Sequence, residues 1–375
     1  MKPTTETELS EAVAQANGPL KISAGGTRGI GRQIDGAPLN MTGLSGITLY
    51  EPGALTIVAQ AGTPLAEIEA ALASEKQRLA FEPMDCRKVL GTSGSPTIGG
   101  VIATNSSGPR RVVVGAARDH MLGVRFVDGT GRVLKNGGRV MKNVTGYDLV
   151  KLMTGSYGTL GVISEVSLKV LPTPETEGTL TIHGLSVERA VAAMSAALTS
   201  PFEVTGAAHL IQSDAGSPET LLRIEGFEAS VAYRLARLKD ALYAFGDVQT
   251  SGAQSPSDRW REIRDLAFWA DCADDIWRLS VRPSDAPGIV ARLPAGARVV
   301  LDWGGGLIWA AVPNATDLRA ELGSFSGHAT LIKARGEVRP SIPIFHPEPT
   351  AIAALNAGLR AQFDPRGILN PGLMN

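Results

Sequence analysis

The sequence predicts an α+β chain with two domains and a C-terminal tail. Three observations carry that expectation. Strand-like and helix-like segments mix in the first half without a regular βαβ alternation. Four units of strand, turn and helix follow in the second half. Three runs of small residues interrupt the first half. With 375 residues there is room for two or three cores, and 43% hydrophobic with 19% charged residues is an ordinary globular composition. Thirty-six Lys and Arg (36) nearly balance 37 Asp and Glu, so no global field draws the chain to nucleic acid or anionic lipid. Two cysteines, Cys86 and Cys272, exclude a disulfide framework or a Cys-rich metal cluster and fit a reducing cytosol. The N-terminus lacks a signal-peptide core, and no window approaches the ~18 apolar residues of a membrane span. A cytoplasmic protein without a membrane span is expected, with peripheral docking through partners left open.

The elements follow in order. Thr7 to Ala16 reads as a short helix with Leu9, Val13 and Ala16 on one side, and Leu20 to Ser23 as a strand entering a glycine-rich loop. "GITLYEPGALTIVAQAG" is a hairpin about Pro52-Gly53. Thr63 is the expected cap and Pro64 the first residue of the helix "TPLAEIEAALAS". "LGVRFVDGTGRVLKNG" is a hairpin turned at Asp128-Gly129, "TGYDLVKLMTG" a short helix, and "GTLGVISEVSLKVLP" a long strand closed by Pro172. "LPTPETEG" suits a linker. The four strand–helix units start at "TLTIHG", "LLRIEG", "WRLSVRP" and "LIWAAVP", with Ser186, Ser284 and Asn314 as candidate caps. They suggest four strands backed by helices, a ferredoxin-like layer. The expected division is 1–173, 174–335 and a tail, 336–375.

The glycine runs carry the chemistry. "SAGGTRGIG" has GxxGxG spacing, but "RQIDGAPLNMTGL" follows without a helical period, so the dinucleotide fingerprint that opens a helix fails, and no Gly-Lys-Ser/Thr is present. What remains is either a turn or a nest of backbone N–H groups, Ala24 to Arg28, able to wrap phosphate oxygens. "SGSPTIGGVIATNSSG" (93–108) sets small residues on both sides of the apolar piece Val101 to Ala103, with Thr97, Thr104, Asn105 and Ser106 offering polar groups. "GSYGTLGVI" (155–163) is a third such patch. Together they suggest a long ligand threaded through loops.

"ISAGGTR", "PTIGGVIATNSSG" and "KNVTGYDLVKLMTGSYGTLGVISEVSLKV" resemble flavoproteins of the vanillyl-alcohol oxidase type, with their PCMH-type FAD-binding domain of two α+β subdomains. Within that type the chain is most similar to the FAD-binding subunits of bacterial glycolate oxidases, through "WRLSVRPS", "LDWGGGLIW" and "FDPRGILNPG". The resemblance implies pyrophosphate binding by Ala24, Gly25, Gly26, Thr27 and Arg28. It implies flavin and ribityl contact at Gly94, Thr97, Gly99, Gly100, Thr104, Asn105, Ser106 and Gly108. Adenosine contact is implied at Gly158, Thr159, Gly161, Val162 and Ile163, and a tail asparagine, Asn370, near the flavin.

Related 2-hydroxy-acid dehydrogenases carry an H-x-G-D-G-N-x-H stretch that this sequence lacks. Its histidines, at 120, 183, 209, 328 and 346, show no ligand spacing and are expected to be structural or exposed, and no metal site is expected. Trp277, Arg278 and Trp303 either reach the flavin face or belong to a core. Cys86 is expected to be a plain thiol and the FAD non-covalent, and "PRR" (109–111) is expected to be a solvated loop, the alternative being a basic cluster that steers an acidic partner. The resemblance implies a redox flavoprotein, a hetero-oligomer with a second FAD-containing catalytic subunit and an iron–sulfur subunit. In it this chain relays electrons or serves structurally. The alternatives are a self-sufficient 2-hydroxy-acid dehydrogenase or a non-redox scaffold. Catalytic residues are not assigned.

Overall fold

The computed structural model describes residues 1–140, 146–212, 216–251, 256–270, 272–313, 316–334 and 341–374. Helix α1 (Glu6–Ala14) is capped by the Thr5 hydroxyl and buries Leu9 and Val13. These pack on a parallel strand pair, β1 (Leu20–Ser23) and β2 (Ala37–Asn40). Next come β3 (Ile47–Glu51), β4 (Thr56–Gln60), β5 (Gln77–Arg78), β6 (Met121–Val127), β7 (Val133–Gly137), β8 (Val162–Lys169) and β9 (Leu171–Pro172). Five of them make an antiparallel sheet in the order β3-β4-β8-β6-β7. One face is covered by α2 (Leu65–Ser74), α4 (Ile98–Ala103) and α6 (Leu149–Met153), with short α3 (Arg87–Leu90) and α5 (Arg111–Val114) nearby in sequence. Both predicted hairpins are present.

The second half builds a single antiparallel sheet of eight strands rather than four: β10 (Thr176–His183), β11 (Val204–Leu210), β12 (Glu219–Gly226), β13 (Val248–Ser251), β14 (Asp275–Val281), β15 (Arg298–Asp302), β16 (Leu307–Val312) and β17 (Gly327–Lys333). The order is β13-β10-β12-β11-β15-β16-β14-β17. It consists of two consecutive βαββαβ units. In the first, α7 (Val187–Leu198) and α8 (Glu228–Ala241) are the helices; in the second, α10 (Ala286–Val290) and α11 (Leu318–Leu322). The units join edge to edge where His209 and Leu210 of β11 pair with Leu301 and Val300 of β15. The helices bury one face of the sheet. The other face packs on α9 (Pro256–Asp265) and, through Met84, Cys86 and Val89, on the N-terminal half. The tail helix α12 (Thr350–Phe363) returns to the five-stranded sheet through Leu359 and Phe363.

Several local expectations change. Pro64 is itself the N-cap of α2, and the Thr63 hydroxyl bonds Gln60 and Gly46 instead of capping. Val101 to Ala103, the apolar piece between the two small-residue clusters, belongs to α4, whose cap is Thr97, with Val101 and Ile102 in the core. Ser186 caps α7, whereas α10 follows Asp285 with no side-chain cap, so Ser284 does not cap it. Asn314 lies outside the described residues, and Asp317 caps α11. Of "LPTPETEG", the first two residues form β9 and the last three belong to β10.

Candidate functional site

The first and second glycine loops interlock. A Cβ on Gly25 would stand 1.7 Å from the Ser95 carbonyl oxygen, and one on Gly94 would stand 2.2 Å from that of Gly25. On Gly99 it would meet Ala61 at 2.7 Å, and on Gly108 the Glu82 carbonyl oxygen at 2.6 Å. These glycines are bare because backbone lies on backbone. Gly26 (φ +69) has nothing within 4 Å of a built Cβ; there the left-handed conformation itself calls for glycine. Gly100 has only the Thr97 hydroxyl, at 3.3 Å.

Beside these loops lies a cavity of about 440 Å³. Of the residues singled out in the sequence, Ala24, Gly25, Gly26, Thr27, Arg28, Thr97, Gly99, Gly100, Thr104, Gly158, Gly161, Val162, Ile163 and Asn370 line it. Gly94, Asn105, Ser106, Gly108 and Thr159 do not line it and serve other ends. Asn105 Oδ1 accepts from the Arg118 N–H and Ser106 Oγ from that of Met84, while Thr159 Oγ1 donates to the Ser156 carbonyl. Sequence reasoning missed the continuation of the first loop, Gly29 to Ile34, together with Ala61, Tyr157 and Leu373. Tyr157 stands at φ 54 between two flagged glycines, an unusual conformation that residue type alone does not disclose.

The polar groups divide in an informative way. Thr97 Oγ1 accepts from the Gly100 N–H at 3.3 Å, and Thr104 Oγ1 donates to the Gly100 carbonyl at 2.8 Å, so both hydroxyls are engaged in α4. Asn370, 4% exposed, is a clamp. Its Oδ1 accepts from Ile22 N–H at 2.8 Å and its Nδ2 donates to the Tyr157 carbonyl at 2.9 Å, while its own N–H reaches the Leu20 carbonyl. By contrast, no N–H group from Ala24 to Gly31 donates a hydrogen bond among the described residues. Arg28 donates through one terminal nitrogen to the Met84 carbonyl, at 2.5 Å, and its buried Nε has no partner. Unsatisfied donors beside a cavity are where an anionic ligand gains most.

A second polar region borders the site. Trp303, at φ 55, heads the turn between β15 and β16 and donates from Nε1 to the Gly108 carbonyl at 3.0 Å. Arg111 and Arg278 both stack on its ring, at 4.4 and 5.2 Å. Trp277, the other tryptophan singled out, is fully buried in the core on the helix side of the sheet. "PRR" is not a solvated loop. Arg110 is buried in a five-residue ion cluster, 2.9 Å from Glu82 and 2.7 Å from Glu225, and these two acids also pair with Arg223 and, for Glu225, Arg78. Cys86 is buried, and burial pushes its thiol up. Among the described residues no group of three or more His, Cys, Asp or Glu side chains converges as a metal site.

A cavity walled by interlocked glycine loops, with free backbone donors at one end, over an α+β sheet pair defines an FAD-binding class of protein. An FAD binding domain family model matches residues 1–137. Glycolate oxidase subunit GlcE of Escherichia coli K12 is 34% identical over 373 residues, covering 98% of this chain and 95% of that protein. The chain belongs to that family of FAD-binding glycolate oxidase subunits, and is an FAD-linked oxidoreductase chain. D-lactate dehydrogenase of Anaerostipes hadrus is 35% identical over 157 residues, 42% of this chain and 31% of that one. Among solved structures, 4-ethylphenol oxidase from Gulosibacter chungangensis superposes with a TM-score of 0.73 at 13% identity, covering 100% of this chain and 88% of that one, which shows the shared fold.

Proposed function

We propose that the chain is one subunit of a multi-subunit oxidase of glycolate or a closely related 2-hydroxy acid, holding its FAD non-covalently in the cavity. The observation that carries this is the run of unbonded N–H groups from Ala24 to Gly31, all in residues that line that cavity. Ala24 to Arg28 would hold the pyrophosphate; Thr97, Gly99, Gly100 and Thr104 would lie along the flavin and ribityl chain. Gly158, Gly161, Val162 and Ile163 would line the adenosine half, with Asn370 fixing the wall between. Gly94, Asn105, Ser106, Gly108 and Thr159 would support these contacts from behind. Bound FAD supplies an acceptor for two electrons. The chain's own residues bind and orient it and exclude water from it.

The similar E. coli protein is by name one subunit of an oxidase, which supports a complex. Oxidation of the acid is assigned to a partner flavoprotein carrying the histidine pattern absent here, and onward transfer to an iron–sulfur subunit. Among the described residues no helix is long and apolar enough to cross a membrane. A self-sufficient dehydrogenase is the second reading, favoured by Arg278, which interacts with the cavity residue Tyr157 and has no ion pair among the described residues. The visible spectrum of the purified chain, before and after anaerobic glycolate, separates the two. A flavin spectrum that stays unchanged supports the subunit reading; prompt bleaching overturns it in favour of the second.

A further inference from the structure

The face of the eight-stranded sheet turned toward the N-terminal half has one polar corner. Arg278 and Ser280 of β14 pair with Thr330 and His328 of β17, and Arg278 also pairs with Trp309 of β16. Cross-strand pairs and residues two apart share a face, so all five side chains project from the same side. The Arg278 guanidinium lies 5.2 Å from the Trp303 ring and 5.9 Å from that of Trp309, and Arg111 stacks on Trp303 as well. Tyr157, which lines the cavity, interacts electrostatically with Arg278 and packs edge-on against Phe345 at 5.0 Å.

This corner is cationic, with Arg278 and Arg111 on one indole. The Arg278 guanidinium makes no hydrogen bond or ion pair among the described residues. The nearby acid, Asp302, already accepts from the Trp303 N–H, and burial pushes its carboxyl up to about 7. Burial also holds Arg278 down, to about 10, and His328 below the usual range, the latter helped by Arg278, His346 and Arg111. A partly desolvated guanidinium between two indoles recovers some energy by cation–π contact, but its planar fork of donors stays open. His328, exposed near the start of β17, offers ring nitrogens for a hydrogen bond beside it.

We propose that this corner is a binding site for a short 2-hydroxy- or 2-oxo-carboxylate, its carboxylate on the Arg278 fork and its adjacent oxygen at His328 and Thr330. The site deepens the oxidase reading. It gives this chain its own carboxylate recognition beside the cavity, whether or not oxidation occurs here. The planar fork and aromatic walls favour a flat carboxylate over a bare halide.

The test is calorimetric titration of the full-length, FAD-loaded chain with oxalate and glycolate, with neutral glycolamide as control and bound FAD quantified separately. Saturable binding of the two anions but not of glycolamide is expected, weakened at least about tenfold by Arg278→Met, with FAD content retained. His328→Gln should weaken glycolate more than acetate. No saturable binding, equal binding by Arg278→Met, or equal competition by chloride would overturn the assignment. If Arg278→Met does not fold, Arg278→Lys decides: undiminished oxalate affinity overturns the proposal, and a clear loss supports it. Absence of FAD from the purified chain would count against the flavin reading alone, since calorimetry still reports on the carboxylate.

Discussion

Gly25 and Gly100 both line the cavity, yet they are bare for different reasons. At Gly25 any Cβ collides with the Ser95 carbonyl, and backbone cannot move aside cheaply; at Gly100 it stands 3.3 Å from the Thr97 hydroxyl that caps α4 and meets nothing closer. Gly25→Ala is therefore expected to lower the melting temperature and FAD content together, by several kcal/mol in stability of the loop pair. Gly100→Ala should keep stability, because alanine is the better helix former by about 0.5–1 kcal/mol, while its methyl enters the cavity and weakens FAD retention. Thermal unfolding with and without added FAD checks both. A Gly25→Ala protein as stable as the parent would mean the loops do not interlock as described. Asn370 also carries two meanings. The family resemblance implies a place near the flavin, and the structure shows its amide spent on Ile22 and Tyr157, so it acts on any ligand through the wall it fixes.

At the level of elements, the seam between the two βαββαβ units is narrow, two paired residues on each strand, and one of them is His209. Its ring is fully buried, Nδ1 lies 2.9 Å from the Thr220 hydroxyl, and burial pushes its pKa down to about 4. An unfolded histidine titrates near 6.5, so between about 6.5 and 4 the unfolded chain binds the extra proton and the folded one does not. Stability is thus full above pH 6.5 and falls as pH drops toward 4, by up to about 3 kcal/mol from this group. Melting temperatures from pH 7.5 to 5 should decline, and more shallowly in His209→Gln. An identical slope in the variant would place the pH dependence elsewhere.

For the whole molecule, the question is what holds the eight-stranded sheet over the flavin half. Apolar contact through Met84, Cys86 and Val89 is one part. The other is the ion cluster, in which Arg78, Glu82 and Arg110 of the N-terminal half meet Arg223 and Glu225 of β12. The guanidiniums of Arg223 and Arg110 hold the Glu225 carboxyl far below the usual range against the opposing effect of burial. Removing that charge leaves three arginines facing one acid. Glu225→Gln is expected to cost about 3–5 kcal/mol, read by denaturant unfolding, whereas an exposed pair such as Arg237–Asp240 should contribute under about 1 kcal/mol. Equal effects at the two sites would show that the cluster does not join the halves.

Much of this was written in local sequence. Periodicity and turn residues determine both hairpins, α1, α2, α6, β8 and the second-half strands β10, β12, β14 and β16, because each depends on neighbours a few residues away. The glycine runs likewise mark three of the cavity's walls, since bare backbone is a property of residue type. Tertiary structure decided the rest. The strands that follow those helices escaped notice because their composition answers to distant partners. Gly206 in β11 is bare because the Trp260 ring lies 2.9 Å from where a Cβ would stand. Arg110 reads as a surface charge until Glu82 and Glu225 close around it, and Arg278 gains significance only when no acid does. Burial and pairing are sums over residues far apart in the chain, and only the fold brings them together.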